Sequence, residues 1–158
     1  MKFNHALLFA IGLSISASLD LGAQAAPSGG RAFTVEAAGG VIGSAAGAAL
    51  GLAVSRVDDC GVDDLACTIQ GLGAAGIGSV IGATAGTIIA GKAIRSRPSG
   101  VGSFVGSVAG AVAGVALIHG ITEEANLKLE QPMTIVVYSV TQGIVTALGS
   151  RLVASLRR

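Results

Sequence analysis

A nine-residue pattern of small residues, Gly-Ser-x-x-Gly-Ala-x-x-Gly, occurs three times in this chain of 158 residues. Each copy lies inside a longer series of glycine and alanine spaced four residues apart, here called a ladder. Residues four apart share one face of an α-helix, so each ladder predicts a flat groove that a second helix backbone can approach closely. We expect helix contacts at Gly39, Gly43, Gly47 and Gly51 (first ladder), Gly78, Gly82 and Gly86 (second ladder, running from Ala74 to Ala90) and Gly102, Gly106, Gly110 and Gly114 (third ladder).

The ladders belong to four apolar segments that are too long for strands and repeat with a helical period. Each is long enough to cross roughly 30 Å of hydrocarbon as a helix. Proline boundaries at Pro98 and Pro132 separate neighbouring segments, because proline cannot donate a hydrogen bond to the preceding turn. The predicted helices cover approximately residues 33–55, 66–93, 101–121 and 133–154.

Glycine in these helices favours a membrane over water. An interior glycine costs about 1 kcal/mol relative to alanine in a water-exposed helix. Three ladders would therefore consume much of the roughly 5–15 kcal/mol that stabilises a small soluble domain. In lipid the helix persists, because an unfolded backbone would leave its amides and carbonyls without partners.

Composition agrees with a membrane setting: 51% of residues are hydrophobic and only 12% are charged, against about 25% charged in soluble domains. A net charge of +1 provides no basic field for nucleic acid, so we expect no nucleic-acid partner. Alanine and glycine are only weakly hydrophobic, however, and aromatic residues make up 3% of the chain. These two observations leave a soluble oligomer or a surface-attached bundle open.

The charges sort to two ends if the four segments alternate in direction. This predicts an all-α fold, an antiparallel up-and-down bundle of four Gly/Ala-rich helices made of two hairpins. The basic end would hold Arg31, Lys92, Arg95, Arg97, Arg151, Arg157 and Arg158. The acidic end would hold Asp58, Asp59, Asp63, Asp64, Glu123, Glu124 and Glu130, with Glu36, Arg56 and Lys128 as exceptions.

The N-terminal region has the features of a signal peptide. A weakly basic start and a short apolar run precede Ala23-Gln24-Ala25, which predicts a signal peptide at 1–25 and a single helical domain at 26–158. Cleavage would place the basic end outside, contrary to the positive-inside rule at an inner membrane. We therefore expect an exported protein of another envelope membrane, such as an outer one. If the segment is instead retained as a fifth span, an inner membrane is possible.

The two cysteines, Cys60 and Cys67, lie in the first hairpin turn. Export to an oxidising compartment predicts a disulfide between them, with an intermolecular bridge or free thiols as alternatives. The acidic residues around Cys60 do not have the spacing of a calcium-binding EF-hand loop, which favours a solvated acidic turn. No metal or cofactor is expected.

Four further features suggest chemistry but have simpler interpretations. The stretch from Gly71 to Gly76 matches the Gly-x-Gly-x-x-Gly pattern of a dinucleotide-binding motif. It lies within a predicted helix, however, and no strand is predicted before it. His119 has no second ligand or nucleophile near it in the sequence. Glu36 is expected to pair with an arginine of the basic end or to cap its helix. Gln142 must either bond across helices or line a wet lumen.

The ladders resemble the glycine-zipper proteins of bacterial envelopes, including the small glycine-zipper two-transmembrane families. The resemblance covers roughly residues 39–114 and rests on Gly-x-x-x-Gly-x-x-x-Gly. It implies a membrane-associated structural protein, often oligomeric, without catalytic residues. Because three ladders on four helices exceed what one bundle needs, we expect packing in a bilayer and self-association. The alternatives are a pore-forming or membrane-active protein and a soluble binding module; an enzyme is least expected, and no small-molecule substrate is inferred.

Overall fold

The computed structural model describes residues 29–55, 65–123 and 131–156. They form four α-helices: α1 (Gly29–Val54), α2 (Leu65–Ala93), α3 (Gly100–Glu123) and α4 (Gln131–Leu156). The described segments contain no strand. The all-α fold expected from the sequence is confirmed, and each helix begins or ends within a few residues of its predicted bound.

The helices form an up-and-down bundle in which each packs against its neighbours in the chain. The most extensive contacts join α1 to α2 and α3 to α4, and α4 closes the bundle against α1. The contact between α2 and α3 is smaller, and α2 approaches α4 across the diagonal. The two hairpins therefore lie side by side, as expected for four helices that alternate in direction.

Polarity in this bundle is distributed in the opposite way to that of a soluble domain. Where the structure describes side chains, the buried hydrophobic residues are all alanines, whereas the largest fully buried side chains include Gln142, Glu36 and Thr87. Large apolar side chains are on the outside: Ile81 is 61% exposed and Val112 67%. Because all four helices are also long and apolar enough to cross a bilayer, the chain has the architecture of a membrane protein.

The basic residues gather at one end of the bundle. Arg31 lies where α1 begins, Lys92 where α2 ends, and Arg151 near the end of α4. At the opposite end, Glu123 is the last residue of α3. The predicted signal peptide at 1–25, the acidic stretches at 56–64 and 124–130, and residues 157–158 lie outside the described residues.

A tight turn at the basic end reverses the chain between α2 and α3. The Ser96 N–H donates to the Gly91 carbonyl at 2.9 Å, and the Arg95 N–H donates to the Lys92 carbonyl at 3.0 Å. This pair of bonds is the Schellman pattern, which places Arg95 at the position usually held by glycine. The φ of Arg95 is accordingly 59°. Four residues later, Ser99 caps α3 by accepting the Gly102 N–H at its Oγ, at 3.1 Å.

Replacing Arg95 with glycine should therefore stabilise the protein. Glycine adopts a positive φ without the clash that Cβ makes with the backbone, a saving of about 1 kcal/mol. We expect Arg95→Gly to raise the midpoint of detergent-induced unfolding. Arg97→Gly is the matched control: it removes the same charge from the same turn at a position without a positive φ, and should not be stabilising. Equal effects of the two substitutions would contradict this account of the turn.

Candidate functional site: a polar axis between glycine contacts

The first two ladders lie directly against each other. A Cβ placed on Gly43 would overlap the carbonyl oxygen of Gly82, and one on Gly47 would overlap that of Gly78. In the same way, a Cβ on Gly82 would overlap the Gly43 carbonyl oxygen, and one on Gly78 would overlap that of Gly47. The backbones of α1 and α2 are thus in contact, in antiparallel order, without an intervening side chain. The contact continues in both directions along the helices, through Gly39 with Gly86 and through Gly51 with Ala74.

The third ladder packs against α4, which carries no ladder of its own. A Cβ on Gly102 would overlap the Gly149 carbonyl, and one on Gly106 would lie 2.9 Å from the Cα of Thr146. Further along, Gly110 faces Gln142, and Gly114 faces the Tyr138 ring. This groove accommodates side chains as well as backbone, since Tyr138 fits beside Gly114.

All three ladders are therefore in use within one chain. Self-association was expected because grooves would be left over once the bundle had formed, but α1, α2 and α4 occupy these grooves. Self-association remains a prediction, but it no longer draws support from a surplus of ladder surface.

The serine of each repeat has a different role from the glycine before it. Ser44, Ser79 and Ser107 are all fully buried, and the hydroxyl of each bonds to a side chain on another helix. The Ser44 Oγ donates to the Gln142 Oε1. The Ser79 Oγ lies 3.0 Å from the Tyr138 Oη, and the Ser107 Oγ lies 2.8 Å from the Thr84 Oγ1. One residue further along a helix is about 100° further around it, so glycine takes the helix contact and serine faces the interior.

Buried polar residues line the inward faces of the helices, three or four positions apart on α3 and α4 and eight apart on α1 and α2, and together they form what we call the polar axis. Its members on α1 and α2 are Glu36, Ser44, Ser79 and Thr87. On α3 and the residue that caps it, and on α4, they are Ser99, Ser103, Ser107, Ser139, Gln142, Thr146 and Ser150. The ladders were evident from the sequence, whereas this second series, next to the glycines, was not recognised.

Gln142 is the central junction of the axis. Its Oε1 accepts from Ser44 on α1, and its Nε2 donates to the Ser107 carbonyl on α3 at 3.2 Å. The Thr146 Oγ1 donates to the Gln142 carbonyl within α4 at 2.6 Å. The sequence predicted that Gln142 either bonds across helices or lines a wet lumen. In the structure it bonds across helices. These bonds join α1, α3 and α4 at one level.

Glu36 forms a second junction, closer to the basic end. It is 2% exposed, and its Oε2 accepts from the Arg151 Nε at 3.0 Å. Its Oε1 accepts from the Ser96 Oγ at 2.5 Å, and the Arg151 Nη1 also donates to the Gly29 carbonyl at 2.7 Å. The carboxylate therefore joins α1, α4 and the α2–α3 turn. Its ion pair with Arg151 is the arginine pairing expected from the sequence.

Of the remaining sequence candidates, those that the structure describes do not belong to the axis. Cys60 and the four aspartates of the acidic turn lie outside the described residues, and although Cys67 is in α2, its side chain is not described. His119 is exposed near the end of α3. Within the described ranges no three His, Cys, Asp or Glu side chains are grouped to hold a metal. Gly71–Gly76 lies inside α2.

Chemically, the axis consists of hydroxyls, one amide and one carboxylate paired with arginine. Most of these polar atoms bond to another helix, an arrangement suited to fixing helices relative to one another in lipid. Comparison with protein-family models, with curated proteins and with solved structures finds no match for this chain.

Proposed function

We propose that this chain is a non-enzymatic structural protein of a bacterial envelope membrane. In this role the protein contributes a rigid helical bundle to the membrane and catalyses no reaction. Its partner is the lipid bilayer, which covers the apolar exterior. Self-association through that exterior is part of the proposal and needs no free ladder.

One observation carries the proposal: the polar groups of the interior are used to bond helices together. The Gln142 and Glu36 junctions each tie three elements through named bonds, and backbone contact between the first two ladders closes the space between α1 and α2. A bundle built in this way resists separation of its helices, because polar groups exposed to lipid are costly.

The experiment is deletion of the gene in its host, followed by a test of envelope integrity. We expect the deletion strain to become more sensitive to bile salts and to a chelator of divalent cations. The wild-type gene and a Gly76→Ala variant should restore resistance, since a Cβ on Gly76 meets nothing within 4 Å. A Gly82→Leu variant should not. Unaltered sensitivity of the deletion strain would contradict the proposal.

A pore is the second candidate, favoured specifically by the polar axis. Hydroxyl-lined axes between helices can conduct when they are wide enough. In the single bundle, however, the bonds of Gln142 to Ser44 and Ser107 cross the axis. A pore would therefore need the helices to separate or several copies to assemble. Release of a small dye from vesicles containing the purified protein would favour the pore; retention would favour the structural role.

The envelope compartment is part of the same proposal. We propose export with removal of residues 1–25 and residence in a membrane beyond the inner one, or in the inner membrane if those residues are retained. Membrane fractionation with alkaline carbonate extraction, together with N-terminal sequencing, distinguishes the two. A mature protein beginning at Ala26 in the outer-membrane fraction is the expected result, and an intact N-terminus in the inner membrane would support the alternative.

A further inference from the structure

Two hydroxyls in the polar axis differ from the others. The Thr87 Oγ1 and the Ser103 Oγ are buried and have no hydrogen-bond partner among the described residues. Both side chains are 0% exposed. An unpaired buried hydroxyl costs free energy, and a buried polar atom is normally bonded to the protein or to an ordered water.

These hydroxyls lie at the same level of the bundle. Thr84 on α2 and Ser107 on α3 are in contact through their hydroxyls at 2.8 Å. Thr87 follows Thr84 by three residues and Ser103 precedes Ser107 by four, so on antiparallel helices both are displaced towards the basic end by about 4.5–6 Å. Two inward-facing hydroxyls on neighbouring helices thus form one layer.

The layer is bounded on both sides by bonded groups. Towards the basic end lies the Glu36 junction with Arg151 and Ser96. Towards the acidic end lies the Gln142 junction. On the side of α1, the axis position between these junctions is held by Gly40, and a Cβ there would lie 2.8 Å from the Thr87 Oγ1. Gly40 therefore offers no side chain with which α1 could bond that hydroxyl.

We propose that Thr87 and Ser103 form a binding site for water, occupied by one or two molecules, within the membrane-spanning part of the bundle. Water both donates and accepts, so one molecule bonds two hydroxyls that otherwise have no partner. The Glu36 junction encloses these molecules on the side of the basic end, and the Gln142 junction encloses them on the other side. The site does not depend on the structural role proposed above.

Water-edited solid-state NMR on the labelled full chain in bilayers tests the site directly. We expect magnetisation from water to reach Thr87 and Ser103 several-fold faster than Ala109 and Ala113, which are exposed on the lipid-facing side of α3. Transfer to Thr87 and Ser103 as slow as to these alanines would overturn the proposal.

The stability of two variants provides an independent test. The midpoint of unfolding should change in opposite directions for a hydrated layer and for a dry one. If the layer is hydrated, Thr87→Val loses bonds to water, so the midpoint of detergent-induced unfolding falls, and adding Ser103→Ala lowers it little further because both act through the same water. If the layer is dry, Thr87→Val removes an unpaired hydroxyl at nearly constant shape and the midpoint rises. An unchanged or raised midpoint would overturn the proposal. Thr122→Val, at an exposed threonine near the end of α3, is the control for the change of side chain.

Discussion

Gly82→Leu should prevent α1 and α2 from packing, and this is the largest effect we expect of any single substitution. Gly82 lies so close to Gly43 that even a Cβ would overlap the Gly43 carbonyl oxygen and would lie 3.0 Å from the Cα of Gly47. The obstacle is the backbone of α1, which cannot rotate away as a side chain can. Overpacking a close contact costs about 1–3 kcal/mol for small additions, and leucine adds four carbons.

A graded series separates steric overlap from helix propensity. Gly82→Ala should already destabilise the bundle by about 1–3 kcal/mol, although alanine is the better helix former. Gly76→Ala, on the same helix, makes the same change where a Cβ meets nothing within 4 Å, and should be neutral or stabilising. The measurement is the midpoint of unfolding in mixed detergent micelles. If Gly82→Ala were as stable as Gly76→Ala, the backbone contact between α1 and α2 would be wrong.

Arg151→Ala should produce the second large loss, because it leaves the Glu36 carboxylate buried without its charged donor. Hydrogen bonds to charged groups contribute about 1.5–3 kcal/mol, and removing one partner of a buried pair exposes the full cost of burying the other. Arg151 is 32% exposed, so solvent reduces this loss below that of a fully buried pair. We expect a destabilisation of about 1.5–3 kcal/mol in the same unfolding assay.

The double variant Glu36→Gln, Arg151→Ala tests whether the unpaired Glu36 carboxylate causes the loss of stability in Arg151→Ala. A neutral glutamine still accepts from the Ser96 Oγ and no longer needs a cation, so the double variant should regain part of the lost stability. Arg97→Ala is the control for removing a positive charge from the same end, and because Arg97 is exposed it should have little effect. A double variant no more stable than Arg151→Ala alone would contradict the assignment of the loss to an unpaired Glu36.

The fold could be predicted from the sequence because its signals are local. Small residues every four positions identify helices, and Pro98 and Pro132 place two boundaries. The short connections between the segments predict the alternation of direction, with which the predicted sorting of charges agrees. The contact between the first two ladders follows the same logic: two matching grooves on consecutive antiparallel helices meet when the chain reverses between them.

The polar axis could not be predicted with the same ease, because its partners are far apart in the chain. Ser44 and Gln142 are 98 residues apart, and Glu36 and Arg151 are 115 apart. A serine beside a ladder glycine is also compatible with a hydroxyl bonded only to its own helix, as the half-buried Thr141 is to the Val137 carbonyl. The partner of the third ladder was hidden for a related reason: α4 offers Gly143 and Gly149 but no regular spacing of four.

The central claim is that the apolar exterior of this bundle faces lipid, and a single introduced tryptophan tests it most directly. The chain has no tryptophan, so Ile81→Trp, Val112→Trp and Ile144→Trp each provide a unique fluorophore on an exposed face near the middle of a helix. In vesicles, we predict blue-shifted emission that is strongly quenched by lipids brominated deep in their acyl chains and scarcely quenched by aqueous acrylamide. Emission that acrylamide quenches and brominated lipids do not would contradict the account.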